Sequence, residues 1–280
     1  MTPTPARSAL YIPGANSRAL EKARGLAVDI ILFDLEDAVA PEEKGAARDT
    51  LTTALAEGGY GSRTRIVRIN ALDTPWGQAD AAALTSDLCD AVLLPKVNSP
   101  ADVDALAAIL PNLPIWAMIE TPLGVLNAQG IAAHPRIAGF VLGTNDLAKD
   151  LGATGRAALV TALQTSLLAA RAHGIIAIDG VYNAFKDDEG LTAECLEGRA
   201  MGFDGKSLIH PAQIDITNTV FGPSEDDIAL ARRQIEAFDE ALATGSGVAV
   251  VDGKIVENLH VETARATLAK AKAIEALEAS

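Results

Sequence analysis

Short, apolar, β-rich runs recur along the chain every two to three dozen residues, and alanine-rich stretches of helical spacing separate them. In order, the runs cover 8–12, 30–35, 65–69, 91–94, 115–119, 139–142, 175–178 and 206–209. Most are almost continuously apolar, as parallel strands buried on both faces must be. The stretches at 17–26, 41–56, 78–88, 99–110, 121–132, 155–173 and 192–201 read as helices. Eight strands alternating with helices predict a closed parallel barrel. An open doubly wound sheet is the competing arrangement, but no GxGxxG follows any strand.

The pattern changes after the eighth run. Ser224 with Asp227 forms a capping-box signature that opens a helix to about Ala243, and Gly245-Ser246-Gly247 breaks it. The run 248–256, with Asp252-Gly253 at its centre, predicts a hairpin, and a last helix is expected over 261–277. The expected organisation is a barrel over 1–222 and a helix–hairpin–helix appendage over 223–280.

Composition narrows the function classes. With 280 residues, 49% of them hydrophobic, the chain can bury a full core without disulfide or metal staples. Its net charge of −14 would repel a phosphate backbone, so nucleic acid is excluded as a partner. The two cysteines, Cys89 and Cys195, form no CxxC pair and lie near no histidine, which suits a reducing, cytoplasmic setting and small core thiols. No stretch approaches the roughly 18 apolar residues that would span a bilayer, and the first residues lack the apolar run of an export signal.

In a barrel of this kind chemistry gathers at the carboxyl ends of the strands. Polar residues stand at nearly every predicted end: Asp34, Glu36 and Asp37, then Arg68 and Asn70, Lys96, Glu120, Asn145 and Asp146, Asp179, and His210. Four carboxylates around one mouth, Glu36, Asp37, Glu120 and Asp146, require a counter-charge. Hard oxygen donors without paired His or Cys favour Mg²⁺, with Mn²⁺ as a substitute; Arg68 and Lys96 are the alternative source of neutralisation. A positive island, Arg7, Arg18, Lys22 and Arg24 against Glu21 alone, suits an anionic ligand or a solvated basic face. Gly205-Lys206-Ser207 imitates the end of a phosphate-binding loop, but Ala200 stands where that motif needs glycine. No GxSxG elbow is present, which disfavours a serine hydrolase.

The blocks RSALYIPGANSRALEKARGL, FDLEDAV, VRIN, LPKV, MIETPLGV, GTNDLAKDLG, AIDGVYNAF and GFDGKSLIHPAQI follow one another along nearly the whole chain. In this order they resemble the citrate lyase β-subunit-like (HpcH/HpaI aldolase/citrate lyase) family, which includes the malyl-CoA and citramalyl-CoA lyases. The resemblance implies a (β/α)8 TIM barrel, a homotrimer or hexamer, a bound Mg²⁺, and cleavage or formation of a carbon–carbon bond in a 3-hydroxyacyl-CoA, giving acetyl-CoA and a 2-keto acid. By the same resemblance Glu120 and Asp146 match the metal ligands, Glu36 and Asp37 match acids near the metal's waters, and Arg68 faces the substrate carbonyls. Arg18 and Lys22 match contacts to the CoA phosphates, and Ile209, His210 and Pro211 lie beside the CoA. Relatives carry an aspartate in the carboxy-terminal hairpin that reaches a neighbouring subunit's site as acid or base; this chain has Glu257 there, one methylene longer. The same site could instead release CoA by hydrolysis of the thioester. A citrate lyase β subunit acting on a carrier-bound acyl group is a further reading.

Overall fold

The structure is a computed structural model that describes residues 4–279. Its strands are β1 (Ser8–Pro13), β2 (Ile30–Asp34), β3 (Thr64–Arg68), β4 (Ala91–Leu94), β5 (Ile115–Ile119), β6 (Ile137–Leu142), β7 (Ile176–Asp179) and β8 (Gly205–Leu208). They pair in chain order, all parallel, and β8 returns to β1 to close the barrel. The predicted (β/α)8 fold is therefore present, each strand within about two residues of its expected place. Interior side chains such as Ile30, Leu32, Ile66, Leu93, Trp116 and Val141 fill the barrel as a packed core. At the seam a side chain on Gly205 would press its Cβ to 1.8 Å from the carbonyl oxygen of Ala6, so only glycine lets β8 approach β1.

The helices around the barrel are α1 (Ser17–Ala23), α2 (Lys44–Glu57), α3 (Gly77–Ala82), α4 (Pro100–Ile109), α5 (Pro122–Leu126), α6 (Ala128–Ala132), α7 (Thr144–Leu151), α8 (Val160–Ala172), α9 (Asp188–Met201) and α10 (Ile214–Phe221). Four differ from the sequence pattern. The single helix expected over 121–132 is two, because Asn127 leaves helical geometry and its amide donates to the carbonyl of Asn98, 2.7 Å away. The helix expected over 78–88 stops at Ala82, before the polar Thr85-Ser86-Asp87 stretch. The helices α7 and α10 are absent from the sequence pattern: each has eight residues, shorter than the window over which apolar periodicity can be read.

The chain divides into two compact units, Ala6–Asn218 and a second one from Thr219 onward that also takes in Thr4 and Pro5. In the second unit α11 (Glu225–Ala243) starts at the Ser224/Asp227 capping box, with Asp227 N–H donating to Ser224 Oγ at 3.0 Å. The antiparallel hairpin β9 (Ala249–Val251) and β10 (Lys254–Val256) follows, and then α12 (Asn258–Glu278). Phe238, Val251, Val256 and Val261 form the core of this unit. Among the described residues no helix is long and apolar enough to cross a membrane.

Candidate active site

Asp34 and Arg68 end adjacent strands in register, so two opposite charges meet at the carboxyl end of the barrel. The contact is bidentate: Arg68 Nε donates to Asp34 Oδ1 at 2.8 Å and Nη2 to Oδ2 at 2.6 Å, with both side chains buried. The same carboxylate accepts the backbone N–H groups of Glu36 (2.8 Å) and Ala38 (3.1 Å), which folds the chain after β2 back over the mouth. Lys44, buried at the start of α2, donates to the carbonyls of Leu35 and Glu36 and pins that turn from the other side. Arg68 Nη1 is left facing the acids, 2.8 Å from Glu36 Oε2 and 3.2 Å from Asp37 Oδ2. The Tyr11 ring lies 4.8 Å from the guanidinium carbon. Burial pulls the Arg68 pKa down, but the charge of Asp34, the hydrogen bonds to it and the charge of Glu36 more than offset it. The guanidinium stays charged.

Glu120 follows β5 and is almost wholly buried. Its Oε1 accepts the backbone N–H of Lys96 at 2.8 Å, whereas Oε2 has no hydrogen-bond partner among the described residues. Burial, and after it the charge of Glu36, pushes the Glu120 carboxyl from its ordinary 4.5 up to about 7. Glu36 is also raised, chiefly by burial, against the lowering effect of Arg68. Gly143 makes room for Glu120: a Cβ there would come within 2.4 Å of its Oε2. From Gly143 the chain enters α7, whose first turn carries the half-buried Asp146, and Gly143 and Asp146 both line a cavity. That cavity, about 340 Å³, is lined by Tyr11, Asp37, Arg68, Met118, Asp146 and Ile209, among others.

Among the described residues no three His, Cys, Asp or Glu side chains converge as a ready-made metal cage. A buried carboxylate oxygen without a partner beside a second, half-buried carboxylate is instead the donor set of a hard cation that keeps water or substrate in its other positions. Glu120 and Asp146 are the residues that could hold it.

The family model for "HpcH/HpaI aldolase/citrate lyase" matches residues 7–211. The chain belongs to the HpcH/HpaI aldolase/citrate lyase family. It is 62% identical to a (3S)-malyl-CoA thioesterase of Cereibacter sphaeroides, over 99% of this chain and 98% of that protein. It is 37% identical to the citrate lyase subunit beta of Escherichia coli K12, covering 95% of this chain and 93% of that one. A crystal structure of CitE from Mycobacterium tuberculosis with magnesium, acetoacetate and coenzyme A superposes with a TM-score of 0.79 at 32% identity, covering 95% of this chain and 97% of that one.

Within this member of the aldolase/citrate lyase family, the expected site residues separate into groups. Arg68, Glu36, Asp37, Glu120 and Asp146 cluster at the mouth, and Ile209 lines the cavity. His210 is exposed and stacks on Phe185 with ring centroids 4.6 Å apart, and Pro211 opens a short 3-10 turn. The basic island dissolves in part. Arg7 is buried against Asp29, and Arg24 pairs with Glu57 and Glu21, so that Arg18 and Lys22 remain exposed on α1 without an acidic partner among the described residues. Two strand-end candidates serve the scaffold. Asn70 bonds Asp80 and the Leu35 carbonyl, and Asp179 is fully buried between Arg156 and Lys206. Glu257 lies in the second unit, exposed at the start of α12, where its backbone N–H donates to His260 Nδ1 at 3.0 Å. Burial raises both thiols, Cys89 to about 12, in keeping with inert core cysteines.

The elevated Glu120 carboxyl has a consequence for pH. Without a cation it takes up a proton below about pH 7, which a divalent cation must displace. Mn²⁺ affinity, measured calorimetrically from pH 5.5 to 8, should fall by up to about tenfold per unit below pH 7 and level off above it. An affinity independent of pH over that range would contradict it. The stability effect has its own sign: the folded pKa is raised, so the contribution of Glu120 is greatest below 4.5 and is lost as pH rises through 7 in the cation-free protein.

Proposed function

We propose that this chain is a Mg²⁺-dependent enzyme acting on a short 3-hydroxyacyl-CoA such as malyl-CoA or citramalyl-CoA, and that it releases CoA by hydrolysing the thioester. The observation that carries the reading is the 62% identity, over 99% of the chain, with proteins named (3S)-malyl-CoA thioesterase. The mouth supports it with a buried guanidinium, an unpartnered buried carboxylate and a cavity of about 340 Å³.

Glu120 Oε2 and Asp146 would hold the cation. When bound, it supplies Lewis-acid polarisation and a grip on the carboxylate and hydroxyl of the acyl group. Arg68, fixed by Asp34, offers Nη1 to the thioester carbonyl oxygen and stabilises the negative charge that grows there as water adds. Glu36 and Asp37 flank Nη1 and are the acids within reach to accept the proton of that water. As the carbon–sulfur bond breaks, the sulfur leaves as thiolate and takes up a proton, giving CoA and the hydroxy acid. Arg18 and Lys22 are candidates for the CoA phosphates, and Ile209, His210 and Pro211 for its thiol arm.

A homotrimer or hexamer follows in this reading, with Glu257 offered to a second copy as acid or base. The exposed apolar outer side of the hairpin, with Val250 directly opposite Ile255, supports such an association. Carbon–carbon cleavage to acetyl-CoA and a 2-keto acid is the second reading, favoured by the likeness to citrate lyase β subunits.

One product assay separates them. With Mg²⁺ and malyl-CoA or citramalyl-CoA, free CoA and intact hydroxy acid are expected. Acetyl-CoA with glyoxylate or pyruvate would make the protein the lyase. No turnover of either substrate would move the reading to a carrier-bound acyl group.

A further inference from the structure

Outside glycine, the described residues contain two positive φ angles, at Asp252 and Lys96. Asp252 sits in the Asp-Gly turn of the hairpin, where a left-handed residue is expected. Lys96 stands in no such turn. It follows β4 at the barrel mouth with φ of 53°, a conformation unfavourable for a lysine. That backbone brings the Lys96 N–H to Glu120 Oε1 at 2.8 Å, and Oε2 is the oxygen left buried and without a partner among the described residues. The ammonium group does something separate. It is half-exposed and lies 3.5 Å from Glu36 Oε1, and its charge also acts on Glu120 and Asp146, but the direct hydrogen bond to Glu120 comes from the main chain.

We propose that Lys96 is a positioning residue that works through its main chain: the left-handed backbone holds Glu120 by one oxygen and thereby presents the other to a divalent cation. The inference rests on the reading of Glu120 as a cation ligand. Strain of this kind persists where surrounding structure over-determines it, and here the neighbours do so. Gly143, by lacking a Cβ, leaves room beside Oε2, and the Lys96 N–H grips Oε1.

The test is Mn²⁺ binding to the full chain without substrate, followed by calorimetry, with circular dichroism and a melting curve for every variant. Lys96→Gly and Lys96→Asn accept the left-handed backbone and keep the N–H while losing the ammonium, so Mn²⁺ affinity should stay within about threefold of the parent, or tighten as a competing cation goes. Lys96→Val resists that backbone and should bind at least about tenfold more weakly. If the valine variant does not fold, Lys96→Ala should show the same weakening to a lesser degree. A tenfold loss in the glycine variant would overturn the proposal by assigning the effect to the ammonium, and so would parental binding by a folded valine or alanine variant. Glu120→Gln separates the two levels. If it leaves Mn²⁺ binding intact, the ligand reading itself fails; if it abolishes binding while Lys96→Val does not, the inference about Lys96 fails alone.

Discussion

Arg68→Lys should lower kcat/KM on the thioester substrate by about 10²- to 10³-fold, the usual cost of removing a donor aimed at a developing oxyanion. The guanidinium divides its work: Nε and Nη2 are committed to Asp34, and Nη1 points to the cavity acids. A lysine brings one ammonium to the end of a flexible stem and cannot hold the Asp34 fork while also facing the substrate. Steady-state kinetics with a melting curve alongside would separate lost chemistry from lost folding. Turnover near that of the parent in a folded variant would remove Arg68 from the reaction.

The second large effect is on stability. Asp34→Ala should destabilise the barrel unit by about 3–5 kcal/mol, because it leaves the Arg68 charge buried without its bidentate partner. The backbone N–H groups of Glu36 and Ala38 lose their acceptor as well. Denaturant unfolding monitored by fluorescence would measure the loss, and the double variant Asp34→Ala/Arg68→Met should recover part of it, since neither charge then remains buried. A loss below about 1 kcal/mol would mean that Glu36 and Asp37 suffice to hold the guanidinium.

The same pair explains why some of the site could be read from the sequence and some could not. Glu120, Asp146 and Arg68 stand out because each interrupts or follows an apolar run at a strand end. The strands themselves are legible for the related reason that burial on both faces leaves almost no polar letters. Asp34 stands at a strand end too, but its role depends on register with β3, which only the closed sheet supplies. Lys44 is invisible for the opposite reason. It sits in a helical stretch that reads as a solvated start, yet its ammonium is buried under the turn that carries Glu36. Gly143 looks like an ordinary loop glycine until the position of Glu120 is known. Asp179 misleads in the other direction: it ends a strand, and its charge is spent on Arg156 and Lys206 inside the scaffold.

The seam at Gly205 also bears on how the protein comes into being. Closing the barrel joins residues almost two hundred positions apart, with Lys206 N–H donating to the Arg7 carbonyl and Ser8 facing Lys206 in register. During synthesis β1 emerges first and waits for its last neighbour until β8 has left the ribosome. Over that interval it presents an open strand edge to any other nascent or unfolded chain. The glycine that lets the two strands meet so closely thus also decides when the newborn chain stops being vulnerable to aggregation.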